Sequence, residues 1–306
     1  MEKTTTEEGG PLMIYETIPI TVPGADGAAP LLTYAPDNFP ELGEDRLRPA
    51  VLICPGGAYC FLSEREAEPV ALRFAGLGCA AFVLRYHVAP QARWPIPQQQ
   101  LLASIAYLRD NWARYHIDPH SIVVMGFSAG GHLAGCAGLL WNRQELYKPL
   151  HRRPSLFRPD GVVMCYPVVT SGPAAHHGSI KTLLGHPDER LRELVSLELQ
   201  VTKQAPPFFI WHAADDTSVP VENALLLDKA LQAKGIPSEL HIYPSGGHAQ
   251  SLADHTVFAP GEDWRASATC AVWVTHCAAW LRRHFGDYAI APHPDELPPK
   301  RRPQKK

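Results

Sequence analysis

No CxxC pair occurs among the seven cysteines, which removes the spacing signature of a zinc ribbon or a thioredoxin-like redox site. Cys54, Cys60, Cys79, Cys136, Cys165, Cys270 and Cys277 are odd in number and mostly sit in apolar runs, so they read as free thiols in a reducing compartment rather than a disulfide framework. Also missing is any stretch of about 18 uninterrupted apolar residues, so no segment reads as a transmembrane helix. The opening Met1-Glu2-Lys3-Thr4 lacks the charged-then-apolar run of a secretory signal, and the expected location is cytoplasmic. Basic charge is not in excess either: 28 Lys and Arg stand against 31 Asp and Glu, a net charge of −3. A nucleic-acid partner, which requires a concentrated basic face, is excluded as an expectation. The basic ending PPKRRPQKK has no interleaved aromatics and no helical periodicity, and it reads as a solvated terminus rather than a membrane or nucleic-acid patch. With no internal repeat and no low-complexity linker, the expectation is one domain over 1–306, its core spanning about 12–290, with flexible ends at 1–11 and 291–306.

What is present is an alternation. Short apolar runs at Ala50–Cys54, Cys79–Tyr86, Ile122–Phe127, Gly161–Tyr166, Pro207–His212 and Glu239–Tyr243 are separated by helix-like segments. The helical segments lie around Glu64–Leu77, Gln98–Tyr115, Ser128–Leu140, Val221–Lys234 and Trp264–Phe285. Near-continuous apolar strands alternating with helices predict an α/β chain whose mostly parallel sheet is covered on both faces. Met13–Thr21 and Leu31–Tyr34 read as an antiparallel edge. The interval Thr170–Ala205 breaks the rhythm and has room for one or two short helices, which is too little for a full lid. Many of the 30 prolines fall where turns are expected, as at Pro55, Pro95, Pro97, Pro167, Pro220 and Pro244.

Gly126-Phe127-Ser128-Ala129-Gly130 joins an apolar strand to an apolar helix, the setting a GxSxG nucleophile elbow requires. The serine of such an elbow occupies a strained backbone conformation, and the residues two positions away must lack bulk for the turn to close; Gly126 and Gly130 meet that demand. A serine hydroxyl needs a base, and the base needs an orienting acid. In a chain of this pattern both follow the serine, each on a loop after a strand. Phe208–His212 runs into Ala213-Ala214-Asp215-Asp216, and Asp215 is the expected acid, with Asp216 ordering the turn or capping the helix. Of the 15 histidines, His248 follows a strand and two glycines that permit a tight loop, whereas His241 lies within a strand and His255 has no comparable loop. His176 and His177 have no further ligand at a recognised metal spacing. Pro55-Gly56-Gly57-Ala58-Tyr59 ends another strand upstream of the elbow, where bare amides could bind an oxyanion; the expected donors are the amides of Gly57, Ala58 and Ala129.

Together PGGAY, GFSAGGHLA, HAADDTSVPVENA and ELHIYPSGGH resemble bacterial α/β-hydrolases of the acetyl esterase/lipase type. That group takes in carbohydrate acetylesterases, acetyl-xylan-esterase-like enzymes and hormone-sensitive-lipase-like enzymes. The resemblance covers about residues 50–285, with the four motifs in order. It implies an α/β-hydrolase fold and the first aspartate of the DD pair as the acid; the short Thr170–Ala205 interval predicts a small or absent lid, and the expected mechanism calls for no cofactor and no metal. Its HGGG loop supplies oxyanion amides from the second and third glycines, which correspond to Gly57 and Ala58. The chain departs from the pattern at Pro55 and Ala58, at Gln100 where an aspartate is expected, and at Ala249 where a glycine is common.

The expected reaction is hydrolysis of short-chain acyl esters, acetate first and carbohydrate esters among them, through an acyl-enzyme on Ser128. Tyr59, Arg85, Tyr86 and Trp94 are candidate substrate contacts near strand ends, with packing as the other reading. A small-substrate peptidase or formamidase of the same fold is the competing enzymatic reading, and a catalytically silent binding protein is the competing class. Trp273, Trp280 and Phe285 of the last helix are expected in the core, with a homodimer contact as the other use.

Overall fold

In the computed structural model the described residues are 13–286; the ends expected to be flexible, 1–11 and 291–306, lie outside them. The strands are β1 (Met13–Ile14), β2 (Thr17–Ile20), β3 (Ala29–Pro36), β4 (Arg48–Cys54), β5 (Ala80–Leu84), β6 (Ile117–Phe127), β7 (Gly161–Cys165), β8 (Phe208–Ala213) and β9 (Ser238–Tyr243). The helices are α1 (Glu68–Gly76), α2 (Ile96–Asp110), α3 (Ala129–Leu140), α4 (Gln144–Tyr147), α5 (His177–Leu184), α6 (Glu189–Leu194), α7 (Glu222–Ala233) and α8 (Trp273–Phe285).

These strands form one sheet in the order β1-β3-β5-β4-β6-β7-β8-β9, with β2 also on β3. From β5 to β9 neighbouring strands are parallel, while β1, β2 and β5 pair with β3 antiparallel. The antiparallel edge expected from the first segments is therefore present. Burial on both faces follows from the strand sequences. Along β4, Ala50, Leu52 and Cys54 join the layer containing Leu101, Leu133 and Leu227 of α2, α3 and α7. Val51 and Ile53 join the opposite layer with Val70 and Phe74 of α1 and Trp273 and Trp280 of α8. The last helix thus gives Trp273 and Trp280 to the core, as expected.

Helix starts are where the structure departs from the sequence pattern. The helical stretch expected from Glu64 opens as a 3-10 turn, Glu64–Glu66, and becomes α-helical at Glu68, where Pro69 is tolerated because a first-turn amide has no intrahelical partner. The stretch expected from Trp264 is a 3-10 turn to Ser267, and α8 begins only at Trp273. Between them Thr269 Oγ1 and Cys270 Sγ both reach back to the carbonyl of Ser245, which diverts the chain toward the loop after β9. The interval 170–205 holds α5, α6 and a 3-10 turn at Leu197–Leu199.

After β4 the chain builds β5 on one side, then returns to place β6 on the other. The crevice above such a switch point, at the carboxyl ends of the strands, is where open parallel sheets bind ligands. The loop after β4 and the turn after β6 both open into it.

Candidate active site

Ser128 connects β6 to α3 with φ 53° and ψ −117°, a backbone state that side chains rarely adopt and that persists only when its surroundings enforce it. They do so here. Its amide donates to the Cys165 carbonyl at 3.0 Å, and its carbonyl accepts from His132 and Val168, each at 3.1 Å. A side chain at Gly126 would collide with the Gly130 backbone, and one at Gly130 would collide with the carbonyls of Cys54 and Pro55. Ser128 ends 8% exposed, at the amino end of α3.

Its Oγ lies 2.8 Å from His248 Nε2. His248 sits on the loop after β9, where Gly246, Gly247 and Ala249 all take positive φ, 150°, 65° and 61°. The unusual Ala249 therefore occupies a left-handed position where a glycine would carry no steric cost. On the other side of the ring, Nδ1 lies 2.6 Å from Asp216 Oδ2. The aspartate on the histidine is thus Asp216, and the expectation of Asp215 is corrected. Asp215 is exposed and its two oxygens accept the amides of Gly247 at 2.8 Å and Gly246 at 3.2 Å, so it clasps the glycine loop from outside. Asp216, 6% exposed, points inward, and its Oδ1 also accepts the amides of Ser218 and Val219 at 2.9 Å each. It orders the turn as expected, but with the oxygen that the ring does not use. Burial alone would push its carboxyl up. The hydrogen bonds from His212, His248 and the Val219 amide outweigh burial and hold it well below the usual carboxylate range. An ionised Asp216 accepts a hydrogen bond from Nδ1–H and so leaves the Nε2 lone pair facing the serine hydroxyl, the arrangement in which a serine hydroxyl can be activated.

In the loop after β4, Gly57, Ala58 and Tyr59 have φ of 127°, 54° and 60°. A side chain at Gly57 would run into the Phe61 backbone, so glycine is required there. Among the described residues the amides of Gly57 and Ala58 donate no hydrogen bond. Beneath the loop lie buried polar clasps: Tyr86 OH donates to Pro55 O at 2.7 Å, and Tyr59 OH lies 2.7 Å from His132 Nδ1. His132 is neutral, its burial lowering it to about 4, so its Nε2–H is free to donate to Val195 O at 2.8 Å while Nδ1 accepts the tyrosine.

Tyr59 and Tyr86 are therefore positioned otherwise than as substrate contacts: each is 1% exposed and its hydroxyl is committed to the fold. Arg85 is committed as well, to both oxygens of Glu64 at 2.9 and 2.6 Å. Trp94 packs half-buried against the core and its amide donates to Leu183 O. Two residues escape sequence reasoning altogether, Glu66 and Tyr166. Tyr166 follows β7 directly, and its ring meets that of His248 edge-on with centroids 5.1 Å apart. Glu66 is a charged residue within a polar run, Ser63-Glu64-Arg65-Glu66, and nothing in that run separates it from its less buried neighbours. His176 caps α5 through Nδ1, which accepts the Ser179 amide at 3.2 Å. Among the described residues no group of three or more His, Cys, Asp and Glu side chains could hold a metal ion, and no helix is long and apolar enough to cross a membrane.

Comparison with known proteins follows the same lines. The BD-FAE family model matches residues 38–231, and that of the prolyl oligopeptidase family matches 184–287. The chain is similar to endo-1,4-beta-xylanase B of Butyrivibrio fibrisolvens, at 36% identity over 74% of this chain and 36% of that protein. It is also similar to an acetylxylan esterase of Xylanibacter ruminicola, at 30% identity over 73% of this chain and 44% of that one. Among solved structures it superposes on an acetyl ester-xyloside bifunctional hydrolase from Caldicellulosiruptor lactoaceticus with a TM-score of 0.78, at 34% identity, covering 92% of this chain and all of that one. The chain spans between about a third and a half of the length of the curated relatives it matches.

Proposed function

We propose that this chain, which belongs to the BD-FAE family and has the α/β-hydrolase fold, is a serine carboxylic ester hydrolase that removes short acyl groups, acetate above all, from carbohydrate esters. The observation that carries this reading is the unbroken series Ser128 Oγ–His248 Nε2 at 2.8 Å and His248 Nδ1–Asp216 Oδ2 at 2.6 Å, on a strained elbow beside a glycine loop. As Ser128 Oγ attacks the ester carbonyl, His248 takes its proton, and Asp216 stabilises the imidazolium. The carbonyl oxygen becomes an oxyanion, received by the amides of Gly57, Ala58 and Ala129. Collapse of the intermediate expels the alcohol with the proton from His248. Water then repeats the sequence on the acyl-enzyme, releasing the carboxylic acid and restoring Ser128. The acetyl and xylan esters in the names of its relatives support the choice of substrate class. The free thiols support a reducing, cytoplasmic setting.

The match to the prolyl oligopeptidase model covers Asp216 and His248 and favours a second reading, cleavage of small amides. Both readings are tested together by turnover of aryl esters from acetate to laurate, and of the matching acetyl anilide, by wild type and Ser128→Ala. The expected outcome is preference for acetate, a loss of at least about 10³-fold in the variant, and negligible anilide cleavage. Serine-dependent anilide cleavage without ester cleavage would shift the assignment to an amidase.

A further inference from the structure

Glu66 takes no part in the proton path, yet it is the acid most deeply placed beneath the site. It is 1% exposed, on the 3-10 turn Glu64–Glu66. Its Oε2 accepts the Gly56 amide at 2.7 Å, and its Oε1 accepts the Tyr166 hydroxyl at 2.7 Å. That hydroxyl in turn accepts the Ser251 amide at 2.8 Å, three residues beyond His248, while the tyrosine ring supports the imidazole edge-on. Ser251 is bound to the same turn a second time, its Oγ donating to Arg65 O. One carboxyl group therefore holds the glycine loop on one side and the support of the histidine on the other. It also lies against the elbow: a Cβ at Gly56 would stand 2.7 Å from Glu66 Oε2 and 3.1 Å from Ser128 Cβ. Burial pushes the Glu66 carboxyl up, opposed by its bonds to Tyr166 and Gly56 and by the nearby His248. Any side chain without two acceptor oxygens would leave the buried Gly56 amide or the Tyr166 hydroxyl without its partner, so it is the carboxylate that joins the two sides of the site.

We propose that Glu66 is a positioning residue that sets the spacing between the Gly57 and Ala58 amides and the His248 ring, acting through Gly56 and Tyr166. The inference rests on Ser128 being the nucleophile, as proposed above. Glu66→Gln keeps the size and one acceptor but cannot accept from both partners; Tyr166→Phe keeps the ring and removes the link. Two readouts are taken on each single variant and on the double variant: kcat and KM for an aryl acetate per correctly folded molecule, and the rate at which a fluorophosphonate modifies Ser128, followed by mass. In that modification the serine oxygen passes its proton to His248 and bonds to phosphorus as fluoride leaves, so the rate reports the nucleophile, its base and the oxyanion donors whatever the natural substrate.

Each single variant is expected to lose about 10–100-fold in kcat and in phosphonylation rate, with KM within about threefold of wild type. The double variant is expected to lose no more than the worse single variant, since both changes interrupt one path. Should Glu66→Gln fail to fold, Tyr166→Phe decides alone. Wild-type rates per folded molecule in the variants, or losses that multiply in the double variant, would overturn the inference while leaving the esterase reading intact. If wild type is phosphonylated but cleaves no ester, the esterase reading fails and the phosphonylation rates still decide the role of Glu66. A wild type inert in both assays overturns both.

Discussion

Two identical side chains stand next to each other at the end of β8 and do different work, because the backbone turns one outward and the other inward. Asp215 reaches water and two glycine amides, while Asp216 is buried against His248, His212 and the Val219 amide. The chemical consequence is unequal. Asp216→Asn presents an amide to Nδ1 and favours the wrong tautomer, so kcat is expected to fall by about 10³–10⁴ with the fold retained. Asp215→Asn keeps an acceptor for one glycine amide and loses a charge-assisted bond in solvent, so it should cost less than about tenfold. Steady-state kinetics on an aryl acetate separates the two; equal losses would mean that the acid is shared between them. The expected acid was Asp215, whereas the carboxylate that touches the His248 ring is its neighbour Asp216. Residue type cannot decide between two aspartates, since what differs is the direction in which each leaves the strand, a property of the turn through Ser218 and Val219.

At the level of elements, the site is made of strand ends held together by backbone geometry. The elbow was legible because its requirement is local: glycines two residues either side of Ser128, between an apolar strand and an apolar helix. The same locality makes it testable. A methyl group at Gly126 meets the Gly130 backbone, and neither partner is a flexible side-chain end that could move aside. Gly126→Ala should therefore destabilise the fold by about 2–3 kcal/mol and remove activity together with it, as read by denaturant unfolding monitored through the buried tryptophans. An unchanged midpoint would show that the turn can open. The glycine loop after β4 was legible for the same reason. The 3-10 turn carrying Glu66 was not, because its meaning lies in contacts to residues 100 positions away at Tyr166 and, through it, to Ser251. Such contacts leave no periodicity in the sequence. Tyr59 and Tyr86 show the converse: tyrosines at strand ends suggest substrate contact, yet a buried hydroxyl needs a partner, and here His132 and the Pro55 carbonyl supply it.

Over the whole molecule, the strand and helix order was readable from hydrophobic runs because both sheet faces are covered, and the acid–base balance of the interior determines how that fold responds to pH. Asp216 and Asp254 are held below the usual carboxylate range: burial opposes ionisation of each, but hydrogen bonds outweigh it, from His212 and His248 in the first case and from Thr256 and Arg73 in the second. Glu66 and Asp160 are raised, by burial foremost. The two pairs act with opposite sign. As pH falls, Glu66 and Asp160 bind protons in the folded state before the unfolded chain does, so their contribution to stability grows and is complete below the unfolded values of about 4. Asp216 and Asp254 remain ionised in the folded state while the unfolded chain protonates, so their contribution is present above about pH 4 and is lost below it. Stability is therefore expected to hold or rise slightly from pH 7 to about 5, then to drop steeply below about 4. Calorimetric Tm values for wild type and Asp216→Asn between pH 3 and 8 check this. The variant should melt below wild type at pH 7, and the gap should stay constant down to about pH 4 and narrow below it, as the unfolded wild type takes up a proton that the folded Asp216 does not. A gap independent of pH would assign the effect to packing of the side chain rather than to its ionisation.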